Sequence, residues 1–550
     1  MADDGFQFFR KVKEKLTMIQ VAEKDFYQEN FEPNKLEIFK TESEEPYLTY
    51  DGATYRIVSS EFKELLWKQH FLEFGQAPSC CKVKQTIKTL YMYGKIFAPV
   101  KKVYHRFAKI DDAVFIDMCT PDSHAVKITG NSVSIEHNPS AKFIRSKVQR
   151  TIGAPVFKAL PEYFELLKKY IPFKTEDDFI IFVSWLLNCI NMDGGYPVLF
   201  LLGEQGSAKS TTCKLIKDLL DASSVLLRNL PKSMKELMIT ATNDYILCFD
   251  NISKISDAQS DNLCKLATGA AFTTRRLYST VSEVQLASKN PCVINGISCF
   301  PTRQDLLDRS LIVALDFIAP DKRKTDKELM KSWENDRPLI FGALCQAASA
   351  ALRNYNSVSE KELPRMADFA KWVIAAEENL PWKKGLFMET MRNLRIKIVE
   401  DALDADPVAI AVLKLMKNRD EWSGSATSLL AALESCIDQD RKKYPGFPKI
   451  ANLLSRQLSR ISAFLREKSI LIKKRHSGVR FIEITRIKPQ SFDLQPPVAD
   501  VHADEKMQTV EEIFAELEPA ESTDIEEDRD EQQDNKMLET AESEPNDTDF

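Results

Sequence analysis

The chain has 550 residues, of which 44% are hydrophobic and 28% charged. That excludes a collagen, a coiled-coil rod and a wholly disordered chain, and leaves room for about three or four domains. The formal charge of −6 hides an asymmetry: residues 499–550 hold 20 acidic side chains against Lys506, Arg529 and Lys536, so the body before them is basic. Such a body is compatible with nucleic-acid contact.

Residues 1–45 form a charged, phenylalanine-containing segment, expected to be helical in part. They lack the apolar core of a secretion signal. A small α+β domain is expected over 46–155, with helices at Ser60–Phe74 and 82–93, then short strands at 103–106, 113–117 and 125–128. It shows no carboxylate pairing of the kind a polymerising primase site needs.

An apolar helical stretch, 160–192, opens the next unit, assigned to 156–320. Its longest apolar run, 179–190, is too short to cross a bilayer. Apolar runs at 197–202, 225–230, 245–249, 292–294 and 311–315 alternate with helical segments, which predicts an α/β unit built on a parallel sheet. Helices at 326–353 and 365–378 make a helical lid or bundle over 321–418. Within 419–487, helices at 426–436, 450–454 and 456–468 precede strands at 470–474 and 479–484, the order of a winged helix.

From 488 onward the chain is acidic and poor in aromatics, and is expected to be disordered. Residues 511–517 form a short amphipathic patch in it, suited to a protein partner; a solubilising tail is the alternative. The eleven cysteines fall mostly in apolar runs and none has zinc spacing. They are expected to be reduced thiols in a soluble, cytoplasmic protein with no membrane partner.

The strongest chemical signal is Gly203-Glu204-Gln205-Gly206-Ser207-Ala208-Lys209-Ser210-Thr211, between an apolar strand and a helix. Loop amides and a helix N-terminus there favour a phosphate; Lys209 would reach the β- and γ-phosphates of ATP, and Ser210 would ligate Mg²⁺. Ala208 stands where glycine is usual. A second strand ends in Asp250, where such ATPases hold Mg²⁺. Asn251 follows, an amide and a poor base, which leaves the residue that activates water open, Glu204 included.

Asn295 closes a third strand and could face the γ-phosphate, or simply make a turn with Gly296. Arg309 precedes the last strand; it suits an arginine finger to a neighbouring subunit, with a salt bridge to Asp305 or Asp308 as the alternative and Arg303 as a second candidate. Between the second and third elements, 272–278 and 282–287 read as an inserted hairpin. Its Arg275 and Arg276, with Lys289, are candidates for DNA phosphate contact. In the C-terminal unit Arg456, Arg460, Lys473, Lys474 and Arg475 crowd a helix and the hairpin, as DNA docking of a helix and basic wing requires.

These motifs resemble the superfamily 3 helicase branch of AAA+ ATPases, in particular the ATPase portion of phage- and plasmid-type primase-helicases of the poxvirus kind. A group of bacterial ATP-binding proteins found with prophages and integrative elements is similar too. The segments that carry the likeness are 197–211, 245–256, 263–278, 293–297 and 305–311, with 365–372 and 424–433 in support. The resemblance covers about residues 45–486. It implies a P-loop AAA+ core and a homo-hexameric ring that moves along single-stranded or forked DNA. Lys209, Ser210 and Asp250 would bind MgATP, Asn295 would sense the γ-phosphate and Arg309 would act in trans. The expected function is a helicase or translocase in replication of a mobile element. The rival is an ATP-switched DNA-binding or loader protein, or a defence ATPase, with slow hydrolysis and a protein partner.

Overall fold

In the strand Val198–Leu202 (β8) every residue is apolar. Leu199 and Leu201 face one core while Val198 and Phe200 face another. A strand covered on both faces lies inside a layered sheet, which is what a continuous apolar run encodes. β8 pairs in parallel with Cys292–Gly296 (β12) and Ser310–Ala314 (β13), and β12 pairs in parallel with Leu247–Phe249 (β9). The order is β13-β8-β12-β9.

The computed structural model describes residues 36–269, 271–275, 283–296, 303–437, 446–477 and 479–487. All belong to the unit Met1–Lys488. The predicted tail and its 511–517 patch, Cys299 and most of the N-terminal segment lie outside the described residues. None of the described helices is long and apolar enough to cross a membrane.

The N-terminal sequence makes a three-stranded antiparallel sheet of Leu36–Lys40 (β1), Pro46–Tyr50 (β2) and Ala53–Arg56 (β3). It packs on helices Ser60–Phe74 (α1) and Cys80–Phe97 (α2). Within the segment expected to be helical in part, 36–40 is strand: Ile38 and Phe39 are buried in β1, whose hairpin with β2 runs across the expected boundary at 45–46. A four-stranded antiparallel sheet follows: Phe107–Ile110 (β4), Ala113–Asp117 (β5), His124–Ile128 (β6) and Val133–His137 (β7). The strand expected at 103–106 begins instead at Phe107, because Arg106 turns the backbone at φ 57°.

The stretch 160–192 is not one helix. A 3₁₀ segment, Pro161–Lys169, and the helix Glu176–Asn188 (α3) are separated at 170–175. There Thr175 starts α3 with a capping box to Asp178. Helices Lys209–Leu220 (α4), Met234–Ala241 (α5) and Asp257–Thr268 (α6) flank the parallel sheet. The run at 225–230, expected as a strand, is reduced to one parallel bridge, Arg228 with Phe249. The inserted hairpin is present as Ala271–Arg275 (β10) paired with Glu283–Ala287 (β11). A short helix, Gln304–Leu307 (α7), precedes β13.

Helices Asp326–Asn354 (α8) and Ala367–Ala376 (α9) complete the main core. Next, Leu386–Asp404 (α10) leads into Pro407–Leu415 (α11), Glu421–Ser425 (β14), Ala426–Cys436 (α12) and Ala451–Glu467 (α13). Ile470–Ser477 (β15) and Val479–Arg486 (β16) close the described chain, in a sheet ordered β14-β16-β15. The helices expected at 450–454 and 456–468 are one, whose buried Leu454, Leu458, Ile461 and Leu465 form a continuous helical stripe. α11 shares this core, although it precedes residue 419. Of the described cysteines, six are buried, but Cys80 and Cys81 are exposed at the start of α2.

Candidate nucleotide and nucleic-acid sites

β8 ends in the loop that runs from Gly203 to Ala208, and α4 begins at Lys209. A side chain at Gly203 would put its Cβ 2.7 Å from the carbonyl oxygen of Leu315, so glycine permits the close approach of the neighbouring strand. Ser207 is buried and its Oγ donates to the carbonyl of Glu204 at 2.9 Å. Glu204 and Gln205 are exposed, and Gly206 has φ 90°. Ala208 also adopts a left-handed conformation, φ 58°, as N-cap of α4, a conformation that is costly for alanine. Thr211 is half-buried in the first turn.

Lys209 Nζ folds back into this loop, donating to the carbonyls of Gly203 and Glu204 at 2.7 Å each. Desolvation holds its pKa below the usual lysine value, and the charge of Asp250 opposes that shift. Neutral carbonyls are weaker partners for an ammonium than a phosphate would be.

The Ser210 hydroxyl donates to the carboxylate of Asp250 at 3.0 Å to Oδ1 and 3.2 Å to Oδ2. The parallel sheet brings this about: β9 ends beside β12 and β12 beside β8, so their C-terminal ends share one edge. Asn295 is 1% exposed, and its Oδ1 accepts the backbone N–H of Asn251 at 3.0 Å. Its Nδ2 donates to Cys213 Sγ at 3.5 Å. Asn251 itself is exposed, with φ 56°, and its N–H is shared with Asp250 Oδ1. Asn295 therefore ties the second strand end to the third, a link that spacing alone does not reveal.

The donor set fits Mg²⁺ and a polyphosphate. A hydroxyl and a carboxylate are hard oxygen ligands, and Mg²⁺ keeps few protein ligands when phosphates and water supply the rest. Among the described residues no group of three or more His, Cys, Asp or Glu could hold a metal alone. Ser210 and Asp250 would hold the ion, and the loop amides with Lys209 the phosphates.

Arg309 lies apart from this cluster's hydrogen bonds. It is 17% exposed and pairs with Asp305 on the same chain. Arg365 bridges Asp305 and Asp308 at 2.9 and 3.0 Å, and Arg395 joins Asp308 at 2.6 Å. Arg303 pairs with Asp261 at 2.8 Å.

Arg275 sits in β10, and Arg276 lies outside the described residues. Lys289 is half-buried, donates to the carbonyls of Met192 and Asp193 at 3.1 and 3.3 Å, and has its pKa lowered by burial. In the C-terminal unit Arg456 and Arg460 are exposed one turn apart on α13. Arg460 approaches Asp257 only at 4.0 Å. Lys473 is exposed. Lys474 donates to Ser455 and Ser459 of α13 at 2.9 and 2.6 Å, and Arg475 pairs with Glu483 at 3.1 Å.

Residues 164–380 match the family described as actinomycete integrative conjugative element replication protein. Residues 408–500 match the C-terminal domain model of the same replication protein, AICE RepA. The chain is therefore similar to replication proteins of conjugative elements over both the parallel sheet and the C-terminal unit. No curated protein matches it.

Among solved structures, an apo form of the NrS-1 C-terminal region is 12% identical, covering 82% of this chain and 97% of that one at a TM-score of 0.38. A second apo structure of that region is 13% identical, with coverage of 82% and 96% and the same score of 0.38. JCV helicase bound to a substituted N-phenylacetamide is 13% identical, covering 40% and 66% at a TM-score of 0.20. Scores of this size carry no argument about activity.

Proposed function

We propose that this chain is an ATP-dependent DNA motor, a helicase or translocase of the superfamily 3 AAA+ kind, serving replication of a mobile element. The observation that carries the reading is the Ser210 hydroxyl on the Asp250 carboxylate, with Lys209 curled into the adjacent loop. The similarity to conjugative-element replication proteins supports the biological setting. In this reading Lys209 and the loop from Gly203 to Thr211 hold the phosphates, and Ser210 and Asp250 hold Mg²⁺, which supplies charge neutralisation for phosphoryl transfer to water. Asn295 holds Asn251 and reports on the phosphate end of the site. The C-terminal unit acts as a winged helix, with Arg456, Arg460 and Lys473 toward DNA. Arg309 reaches a neighbour's ATP in a homo-hexameric ring.

A second reading keeps its place on a specific observation: Arg309 is held by Asp305, and Asn251 is a poor base. An ATP-switched loader that hydrolyses slowly and acts through a protein partner has no need of either as catalyst. ATP turnover with and without single-stranded DNA separates the two, measured on wild type, Lys209→Ala, Arg309→Ala and mixtures of each with wild type. The motor gives DNA-stimulated turnover, lost in both variants and poisoned by mixing. Tight ATP binding with negligible turnover on any DNA selects the loader.

A further inference from the structure

Beyond β13 the chain does not leave the phosphate loop but crosses it. Leu315 N–H donates to the carbonyl of Leu202 at 2.8 Å, and Ile318 N–H donates to that of Gly206 at 3.2 Å. Asp316 N–H donates to Pro172 at 2.7 Å, which fixes the arm on its outer side. Two side chains of this arm meet the loop. A Cβ on Gly206 would lie 2.9 Å from Arg323 Nη2 and 3.2 Å from Phe317 Cε2, so glycine is what lets them approach. Arg323 Nε donates to the carbonyl of Ile318 at 3.2 Å, and its guanidinium stands 5.4 Å from the centre of the Phe317 ring.

Apart from these contacts within the arm, neither side chain is buried in a core. Phe317 is 49% exposed, whereas the aromatic residues of the parallel sheet, Phe200 and Phe249, are fully buried. Arg323 is exposed and, among the described residues, makes no ion pair, whereas Arg303, Arg309, Arg365 and Arg395 all do. Lys322 and Lys324 flank it.

The sheet order decides which part of a ligand the arm would meet. β13 lies on one side of β8, while β12 and β9, which bring Asn295 and Asp250, lie on the other. A nucleotide whose metal-bearing phosphates engage Ser210 and Asp250 therefore extends its nucleoside end toward the β13 side. We propose that Phe317 and Arg323 form the nucleobase-side wall of the site, Phe317 giving a stacking face to a purine and Arg323 a positive charge to the phosphate next to the ribose. The proposal rests on the nucleotide-site reading above and deepens it.

The test is calorimetric titration of the full chain with ATP and, separately, with inorganic tripolyphosphate, which has no base. Base–aromatic stacking predicts that Phe317→Ala weakens ATP binding by about tenfold and leaves tripolyphosphate binding unchanged. Phe317→Tyr keeps the ring and should restore ATP affinity. Arg323→Gln should weaken both ligands. Unchanged ATP affinity in Phe317→Ala, or equal losses for both ligands, overturns the proposal while the nucleotide site stands. A wild-type chain that binds neither ligand overturns the site itself and the wall with it.

Discussion

Ala208 holds the backbone at φ 58° on the threshold of α4, in a region where a Cβ is unfavourable. The sequence shows only that glycine is missing there; the structure shows that the loop still takes the glycine-like conformation. Ala208→Gly should raise stability by about 0.5–1 kcal/mol, the relief of strain being offset in part by a freer unfolded chain. A higher denaturant midpoint at constant slope would show it. In the proposed reading, metal use turns on Asp250. Asp250→Asn should leave nucleotide binding in EDTA unaltered but remove the gain on adding Mg²⁺; titrations with and without the ion test this, and an undiminished gain would exclude Asp250 as ligand.

At the scale of elements, Asp178 joins two of them. One carboxylate oxygen accepts the N–H and hydroxyl of Thr175 at 3.0 and 2.6 Å, capping α3. The other accepts the N–H of Ala314 at the end of β13 at 2.7 Å. Asp178→Ala removes a cap and leaves a strand N–H without its partner, so a loss of about 2–4 kcal/mol is expected in chemical unfolding. The cap was open to reading from Thr175 and Asp178 alone, since their spacing is that of a capping box; the second contact spans 136 positions and was not. α13 offers a functional test at the same scale. Arg456 and Arg460 share one exposed face, so Arg456→Ala and Arg460→Ala should each lower the slope of DNA affinity against salt by about 1. Unchanged slopes would take that face out of the DNA interface.

At the scale of the whole described chain, a buried charge network joins the four-stranded antiparallel sheet to the unit built on the parallel sheet. Arg106 is fully buried; its Nε donates to Asp221 at 3.1 Å and its other nitrogens to the carbonyls of Asp117, Arg150 and Ala222. Asp221, at the end of α4, also receives Lys217 at 2.7 Å, and Lys217 reaches Asp244 at 3.0 Å. Burial alone would raise the Asp221 pKa, but Lys217 and Arg106 outweigh it and hold it below the usual value. A lowered folded pKa means that the stabilisation is present above the unfolded value, about pH 4, and is lost as pH falls through the folded one. Asp221→Asn should cost about 3–5 kcal/mol at neutral pH, because it takes the carboxylate from buried Arg106 and leaves Lys217 with the carboxylate of Asp244 alone. It should also flatten the acid limb of a stability–pH curve; an unchanged limb would show that other carboxylates govern it.

What the sequence by itself determined is what short-range chemistry encodes. The apolar runs 197–202, 292–294 and 311–315 became β8, β12 and β13 because continuous apolar strands need cover on both faces. The turn from strand to helix at Gly203 to Ala208 was legible because an apolar run ends at a glycine and a helical pattern begins at Lys209. Tertiary structure decided the rest. Residues 225–230 have the composition of a strand, yet at the sheet edge they make only the Arg228 bridge to Phe249. Arg309 read as a finger, with a salt bridge to Asp305 or Asp308 as the alternative; the pair with Asp305 is local, whereas the reach of Arg365 and Arg395 to Asp305 and Asp308 belongs to packing between distant segments. Phe317 and Arg323 carried no motif, only a basic run after a strand. Their meaning comes from the crossing of the arm over Gly206, a contact over more than a hundred positions that local sequence cannot specify.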